Sequence, residues 1–256
     1  MRGKKAPLFW ATMLLIVICI TSGVLIFDGV IWFVYPERLG YTVKGIDVAR
    51  YQGEIDWEII SSQGIYFAFI KATEGSTHID PMFNSNIVSS RHNGIYASAY
   101  HFFSSRSPGK TQAENFIRVI AEHELDMPPV LDFEIPKRDK DDSESIIEEA
   151  KQFLHCIEMH YGAKPIIYTT YDSYNTFLSD GFEDYILWFR DLFSIPNIKG
   201  GRSWFFWQYS NRGRLNGIDK QQRYVDLNVF YGSIDEFLQQ IDEWNSNFST
   251  IRNYSQ

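Results

Sequence analysis

Asp132 and Glu134 stand one residue apart in the stretch PPVLDFEIP, residues 128–136, where an apolar run ends. Side chains two apart on a β-strand share a face, about 6.6 Å along the strand. The two acids therefore look into one space while Phe133 packs behind them. Like charges this close do not ionise independently, so one of the two pKa values is expected to rise. One proton donor beside one stable anion is the equipment of glycosidic cleavage. The spacing alone also suits an ordinary strand end meeting water.

Other polar side chains recur at the same kind of place. Eight apolar segments read as strands: 43–48, 65–70, 95–102, 129–134, 164–170, 185–190, 203–210 and 224–230. At or just past their C-terminal ends stand Asp47, Lys71 with Glu74, His101, Asp132 with Glu134, Tyr168, Trp188 with Arg190, Gln208 with Tyr209, and Asp226. Strands apolar nearly throughout are buried on both faces, as in a parallel barrel. Apolar residues at helical spacing in 111–125 and 143–161 supply crossover helices. Ser233 and Glu236 open a third helix, over 233–244, with the spacing of a capping box. The fold class expected is α/β, an irregular (β/α) barrel of the TIM type. In such a barrel the C-terminal strand ends meet at one mouth, where the chemistry is built. Asp47, Asp132, Glu134 and Asp226 would then share a pocket.

The chain has 256 residues and a net charge of −8, and 16% of it is aromatic. That length holds one large domain with a substantial core. Residues 1–35 stand apart from it. Three cations, Arg2, Lys4 and Lys5, precede twenty uncharged residues from Leu8 to Phe27. A helix of that length rises about 30 Å, the thickness of the bilayer's hydrocarbon core. The apolar part of a cleaved signal peptide is about 7–15 residues, so an uncleaved anchor is favoured. Trp10 marks one interface, and Trp32 and Tyr35 the other. The cationic start stays in the cytoplasm, and the rest lies outside the plasma (inner) membrane, periplasmic or extracellular. Residues 36–42 form a short linker, and 43–256 a catalytic barrel with a C-terminal helix.

Without residues 1–35, which hold three cations and Asp28, the remainder carries about −10, which excludes a partner held by nucleic-acid phosphates. The lipid bilayer is a partner only through the anchor. Cys19 lies in the span and Cys156 in a helical segment, so no disulfide is expected. The six histidines show no metal-ligand spacing. No metal or other cofactor is expected.

The segments GIDVARYQGEIDW, FIKATEG, YASAYHFF, PVLDFE, PIIYTT, FWQYS and VDLNVF occur in this order between about Lys44 and Gly232. In order and spacing the chain resembles the glycoside hydrolase family 25 lysozymes. The resemblance implies a muramidase that cuts the β-1,4 bond after N-acetylmuramic acid in peptidoglycan glycan strands, with an irregular β/α barrel and a groove across its mouth. It implies Glu134 as general acid and Asp132 as the anion that orients the acetamido group or supports the cationic intermediate. Asp47 and Asp226 match the two other acidic positions, and Tyr168 the tyrosine near the N-acetyl group. Tyr100, Trp188, Gln208, Tyr209 and Glu74 are the further sugar-binding candidates. Retention, inversion and use of the substrate's own acetamido group all stay open. Two departures stand out. Ala49 occupies a position that is usually serine, and Phe189-Arg190 follows Trp188 where a small residue is usual. Two competing readings are a catalytically silent glycan-binding domain tethering wall to membrane, and another barrel hydrolase such as a chitinase.

Overall fold

The structure, a computed structural model, describes residues 5–219 and 224–254. Eight strands close into a barrel: β1 (Lys44–Val48), β2 (Ile65–Glu74), β4 (Tyr96–Phe102), β5 (Val130–Phe133), β6 (Ile166–Thr169), β7 (Leu187–Arg190), β8 (Phe206–Gly213) and β9 (Val225–Phe230). A two-residue strand, β3 (His78–Ile79), pairs antiparallel to the end of β2. All eight expected strands are present, and β1 pairs with β2 to complete the closure.

The barrel is not wholly parallel. β9 runs antiparallel to both β8 and β1. A parallel return needs a crossover of a dozen or more residues, usually a helix. The 214–224 connection is shorter than that and holds no helix among its described residues. The reversal changes how Asp226 reaches the mouth. It sits near the start of its strand, not the end, and the antiparallel sense brings that start to the same side as the C-terminal ends of the others.

Alternation along each strand sorts two cores. Ile46, Val48, Ala68, Ile70 and Leu131 point outward to the surrounding helices. The principal ones are α2 (Trp57–Ser62), α3 (Phe83–His92), α4 (Gly109–Ile120) and α5 (Ser143–Tyr161). Phe133 belongs to this outer layer, 5.3 Å from Phe103 between ring centres. A single helical turn, α6 (Tyr171–Ser173), follows β6. Phe67, Phe69, Val130, Ile166, Trp188, Phe206 and Phe230 point inward. Gly45 leaves room for this filling, since a Cβ there would lie 2.3 Å from the Phe67 ring.

The final helix, α7 (Ile234–Tyr254), closes the end of the barrel opposite the mouth. Its Phe237 ring lies 5.7 Å from Phe67, 5.6 Å from Tyr96 and 5.3 Å from Phe230. The helix starts where the capping box requires: Ser233 N donates to Glu236 Oε2 at 2.7 Å, and Glu236 N to Ser233 Oγ at 3.3 Å.

Ahead of the barrel, α1 (Lys5–Phe27) contains the span Pro7–Phe27, with a mean hydropathy of 2.4 and none of its most apolar stretch buried. By length and composition it is long and apolar enough to cross a membrane. Within the linker, Pro36–Leu39 form a 3-10 turn, and Tyr41 lies 5.1 Å from Trp204 between ring centres. Just ahead of it Trp32 packs 6.1 Å from Tyr209, and Asp28 lies 3.7 Å from Arg214. Burying these rings holds the segment against the barrel.

Phe237→Ala is expected to lower the unfolding free energy by about 3–5 kcal/mol, the usual result of emptying a large buried aromatic site. Urea unfolding of the detergent-solubilised full chain measures it. An unchanged midpoint would show that the α7 plug adds little to barrel stability.

Candidate active site

The barrel interior changes character toward the mouth. Phe67, Phe206 and Phe230 fill the closed end, Phe69 and Trp188 stack at 4.3 Å above them, and carboxylates lie beyond. A cavity of about 320 Å³ opens there, and Asp47, Asp132, Glu134 and Asp226 all line it. Tyr100, Tyr168, Trp188 and Gln208 line it too. Those four expected acids and four expected polar or aromatic side chains are therefore together.

Strand register explains the closest pair. Asp47 on β1 and Asp226 on β9 are directly opposed across an antiparallel ladder, where facing Cβ atoms are about 4.5–5.5 Å apart. Two carboxyl groups so placed share a hydrogen bond only if one keeps its proton. Burial and the neighbouring Asp47 charge raise the Asp226 pKa well above the ordinary carboxylate range, so Asp226 is the donor. Asp47 is raised to about 6 by burial, against the pull of hydrogen bonds from Asn228, Gln208 and Asp226.

Around Asp47 runs a chain of donors. Asn228 Nδ2 donates to its Oδ1 at 2.7 Å, and Gln208 Nε2 to the same oxygen at 3.0 Å. Tyr168 Oη donates to Gln208 Oε1 at 2.9 Å, and Trp188 Nε1 to Asn228 Oδ1 at 2.8 Å. The two amides are thereby fixed in orientation, each giving its NH₂ to the carboxylate. Asn228 did not figure among the expected site residues. Its signal was the alternation within VDLNVF, which puts it on the same face as Asp226.

The two members of the opening pair, Asp132 and Glu134, sit in different surroundings. Asp132 is buried, its Oδ1 has no hydrogen-bond partner among the described residues, and its pKa rises well above the usual value through burial and then through Glu134. Glu134 lies one residue beyond β5, its side chain 28% exposed, and accepts from Arg190 Nη1 at 3.2 Å. Burial, and then the Glu134 charge, therefore make Asp132 a member of the pair whose pKa is raised. Desolvation, not the spacing of the pair, decides this.

Two of the expected sugar-binding side chains are not at the cavity. Tyr209 follows the inward Gln208 and so points to the outer face, against Trp32 and Trp207. Glu74 lies at the end of β2 and pairs with Lys71 at 2.7 Å; Lys71 lines the cavity and Glu74 does not. His101 also faces outward. Its Nδ1 is 2.7 Å from Thr73 Oγ1 and its Nε2 3.1 Å from Gln112 Oε1, and burial lowers its pKa to about 4.

The sequence profile of the glycosyl hydrolases family 25 matches residues 46–218, from within β1 through the end of β8. The chain belongs to glycosyl hydrolase family 25. It is a glycoside hydrolase, and the closed eight-stranded mixed barrel is the fold of that family. A family 25 glycosyl hydrolase structure from Bacillus anthracis superposes with a TM-score of 0.71 at 42% identity, covering 77% of this chain and 93% of that one. Lysozyme M1 of Streptomyces globisporus is 32% identical over 209 residues, 77% of this chain and 70% of its own. The protein YegX of Escherichia coli K12 is 37% identical over 207 residues, 79% and 74% of the two chains. Of the two departures from the family 25 pattern, Ala49 and Arg190 both line the cavity.

The raised acids set a pH dependence of stability. A carboxyl whose folded pKa lies above its unfolded value favours the fold at low pH, and that contribution is lost as pH rises through the folded pKa. For Asp47 the window runs from its ordinary 3.8 to about 6, and Asp132 and Asp226 extend it upward. The thermal midpoint is expected to fall as pH rises across this window. Asp132→Asn, with nothing to ionise, is expected to fall less steeply. Parallel curves for wild type and variant would show that Asp132 ionises in the fold without cost.

Proposed function

We propose that this protein is a muramidase that hydrolyses the β-1,4 bond between N-acetylmuramic acid and N-acetylglucosamine in peptidoglycan. The observation that carries the reading is the position of Glu134. A second cavity, of about 700 Å³, adjoins the first, and Glu134 and Arg190 are the two residues that line both. A glycosidic oxygen lies between two sugars, so an acid in the wall between two cavities stands where that oxygen would pass. Glu134 gives its proton to the bridging oxygen, and water finally supplies the hydroxyl at the anomeric carbon.

Asp132 orients the acetamido group. Its Oδ1, which has no hydrogen-bond partner among the described residues, is an acceptor for the acetamido N–H. Asp47 is the anion that the amides hold in place for a developing positive charge, and Asp226 shares its proton with it. Tyr168 stands beside this group at the N-acetyl side. Tyr100, Trp188 and Gln208 form the sugar-binding wall. The similar Streptomyces protein is named a lysozyme, which agrees with this substrate. A silent glycan tether would have no need of four acids in one cavity.

The same reading places the enzyme at the plasma membrane. Residues 1–35 act as an uncleaved anchor with the cationic start inside, and the barrel works outside on glycan near the bilayer. The length and apolar character of α1 support this, and so does the contact of residues 28–41 with the barrel, which leaves little slack between span and domain.

Glu134→Gln is expected to bind glycan as the wild type does and to lose at least about 10²–10⁴-fold in turnover, because an amide cannot deliver the proton. Incubation with purified peptidoglycan, with the new reducing end identified as muramic acid, is the measurement. Near-wild-type cleavage by this variant would remove Glu134 from the mechanism. For the anchor, the full-length protein is expected in the membrane fraction after alkaline carbonate washing, with the barrel open to protease added outside. Recovery of a soluble form lacking residues 1–27 would replace the anchor by a cleaved signal.

A further inference from the structure

The salt bridge on Glu134 conflicts with its task. An arginine donating to a carboxylate stabilises the anion, yet a general acid must hold a proton. For Glu134 to serve, Arg190 has to be given another partner. The geometry allows such an exchange. The contact is a single one, at 3.2 Å, not the pair of parallel bonds that makes an arginine–carboxylate unit rigid. Both side chains are partly open to water, Arg190 at 34% and Glu134 at 28%. The guanidinium has five N–H donors, and a second carboxylate can dock on it.

The partner must come from the larger cavity. Arg190 is the one cation among the described residues that line it. Asp191, its neighbour there, is already satisfied: Tyr171 Oη, the backbone N–H groups of Phe193 and Ser194, and Ser194 Oγ all donate to it within 3.0 Å. Asp172, on the same wall, is exposed to water. A ligand carboxylate entering beside Thr170 and Tyr171 would thus meet a cation held only by the acid it is to replace.

We infer that Arg190 is an anion subsite that recognises a carboxylate borne by the glycan next to the scissile bond, and that this carboxylate draws Arg190 off Glu134. The inference rests on the muramidase reading. Two sources of the carboxylate exist on such a substrate: the lactyl group of a peptide-free muramic acid, and the acidic residues of an attached peptide. Arg190 acts as a specificity and positioning residue. The proton still comes from Glu134, which the exchange frees to carry it. No covalent bond to Arg190 is made or broken.

The experiment uses the full chain in detergent and four substrates: peptide-free glycan strands, peptide-bearing strands, and each of these with its carboxyls converted to neutral amides. Wild-type kcat/KM is expected to fall roughly tenfold or more on amidation, through KM as a charge-assisted hydrogen bond is lost and through kcat as Arg190 stays on Glu134. Arg190→Leu is expected to cut charged and amidated strands equally, and Arg190→Lys to recover part of the discrimination. A preference confined to peptide-free strands assigns the lactyl carboxylate, and one confined to peptide-bearing strands assigns the peptide; either supports the subsite. If Arg190→Leu, folded as judged by its thermal transition, keeps the full wild-type ratio of charged to amidated rates, the subsite is overturned while the muramidase reading stands. Absence of a new muramic acid end from wild type on every substrate overturns that reading, and the inference with it.

Discussion

The direct opposition of Asp47 and Asp226 across β1 and β9 is the constraint on which the site depends. Facing carboxyls in an antiparallel ladder are forced together by the backbone, whatever their charge. The protein answers with one retained proton and with the amides of Asn228 and Gln208 turned toward Asp47. Those amides are in turn held by Trp188 and Tyr168. The network thus ties four strands (β1, β7, β8 and β9) and β6 to a single anion. Turning β9 parallel would remove the opposition and the reason for the network.

Stability and chemistry are separated along the barrel axis. The closed end is filled with rings and sealed by α7, where burial is favourable and no group must ionise. The mouth carries buried carboxyls whose ionisation the fold resists. Removing a charge from water is costly unless partners replace the water. Asp47 has such partners. Asp132 has one oxygen with none, which is tolerable in a site built to receive a polar ligand and wasteful in one built only to fold.

The outer face of the same strands carries a second set of relations. One residue after the inward Gln208, Tyr209 meets Trp32, and Tyr41 meets Trp204. Arg214 beyond β8 approaches Asp28 at the end of the apolar helix. Strand alternation therefore connects the catalytic interior to the N-terminal segment by neighbouring residues of one strand, while keeping the two environments apart.

Much of this was legible in the sequence because it depends on local periodicity. The eight apolar segments, the capping box at Ser233, the twenty-residue span and the shared face of Asp132 and Glu134 all follow from spacing along one strand or helix. Even Asn228 lay within reach, two residues after Asp226. Strand direction did not, since the same apolar run reads identically parallel or antiparallel. It was settled by how β9 closes the barrel between β8 and β1. Nor could spacing say which acid keeps a proton. That depends on burial, and the pairing of Glu134 with Arg190 likewise joins residues 56 positions apart. The outward turn of Tyr209 and the pairing of Glu74 with Lys71 belong to the same class. A sequence determines what each element offers on its faces. Desolvation and charge pairing arise only when faces from distant elements meet, so only the tertiary structure decides them.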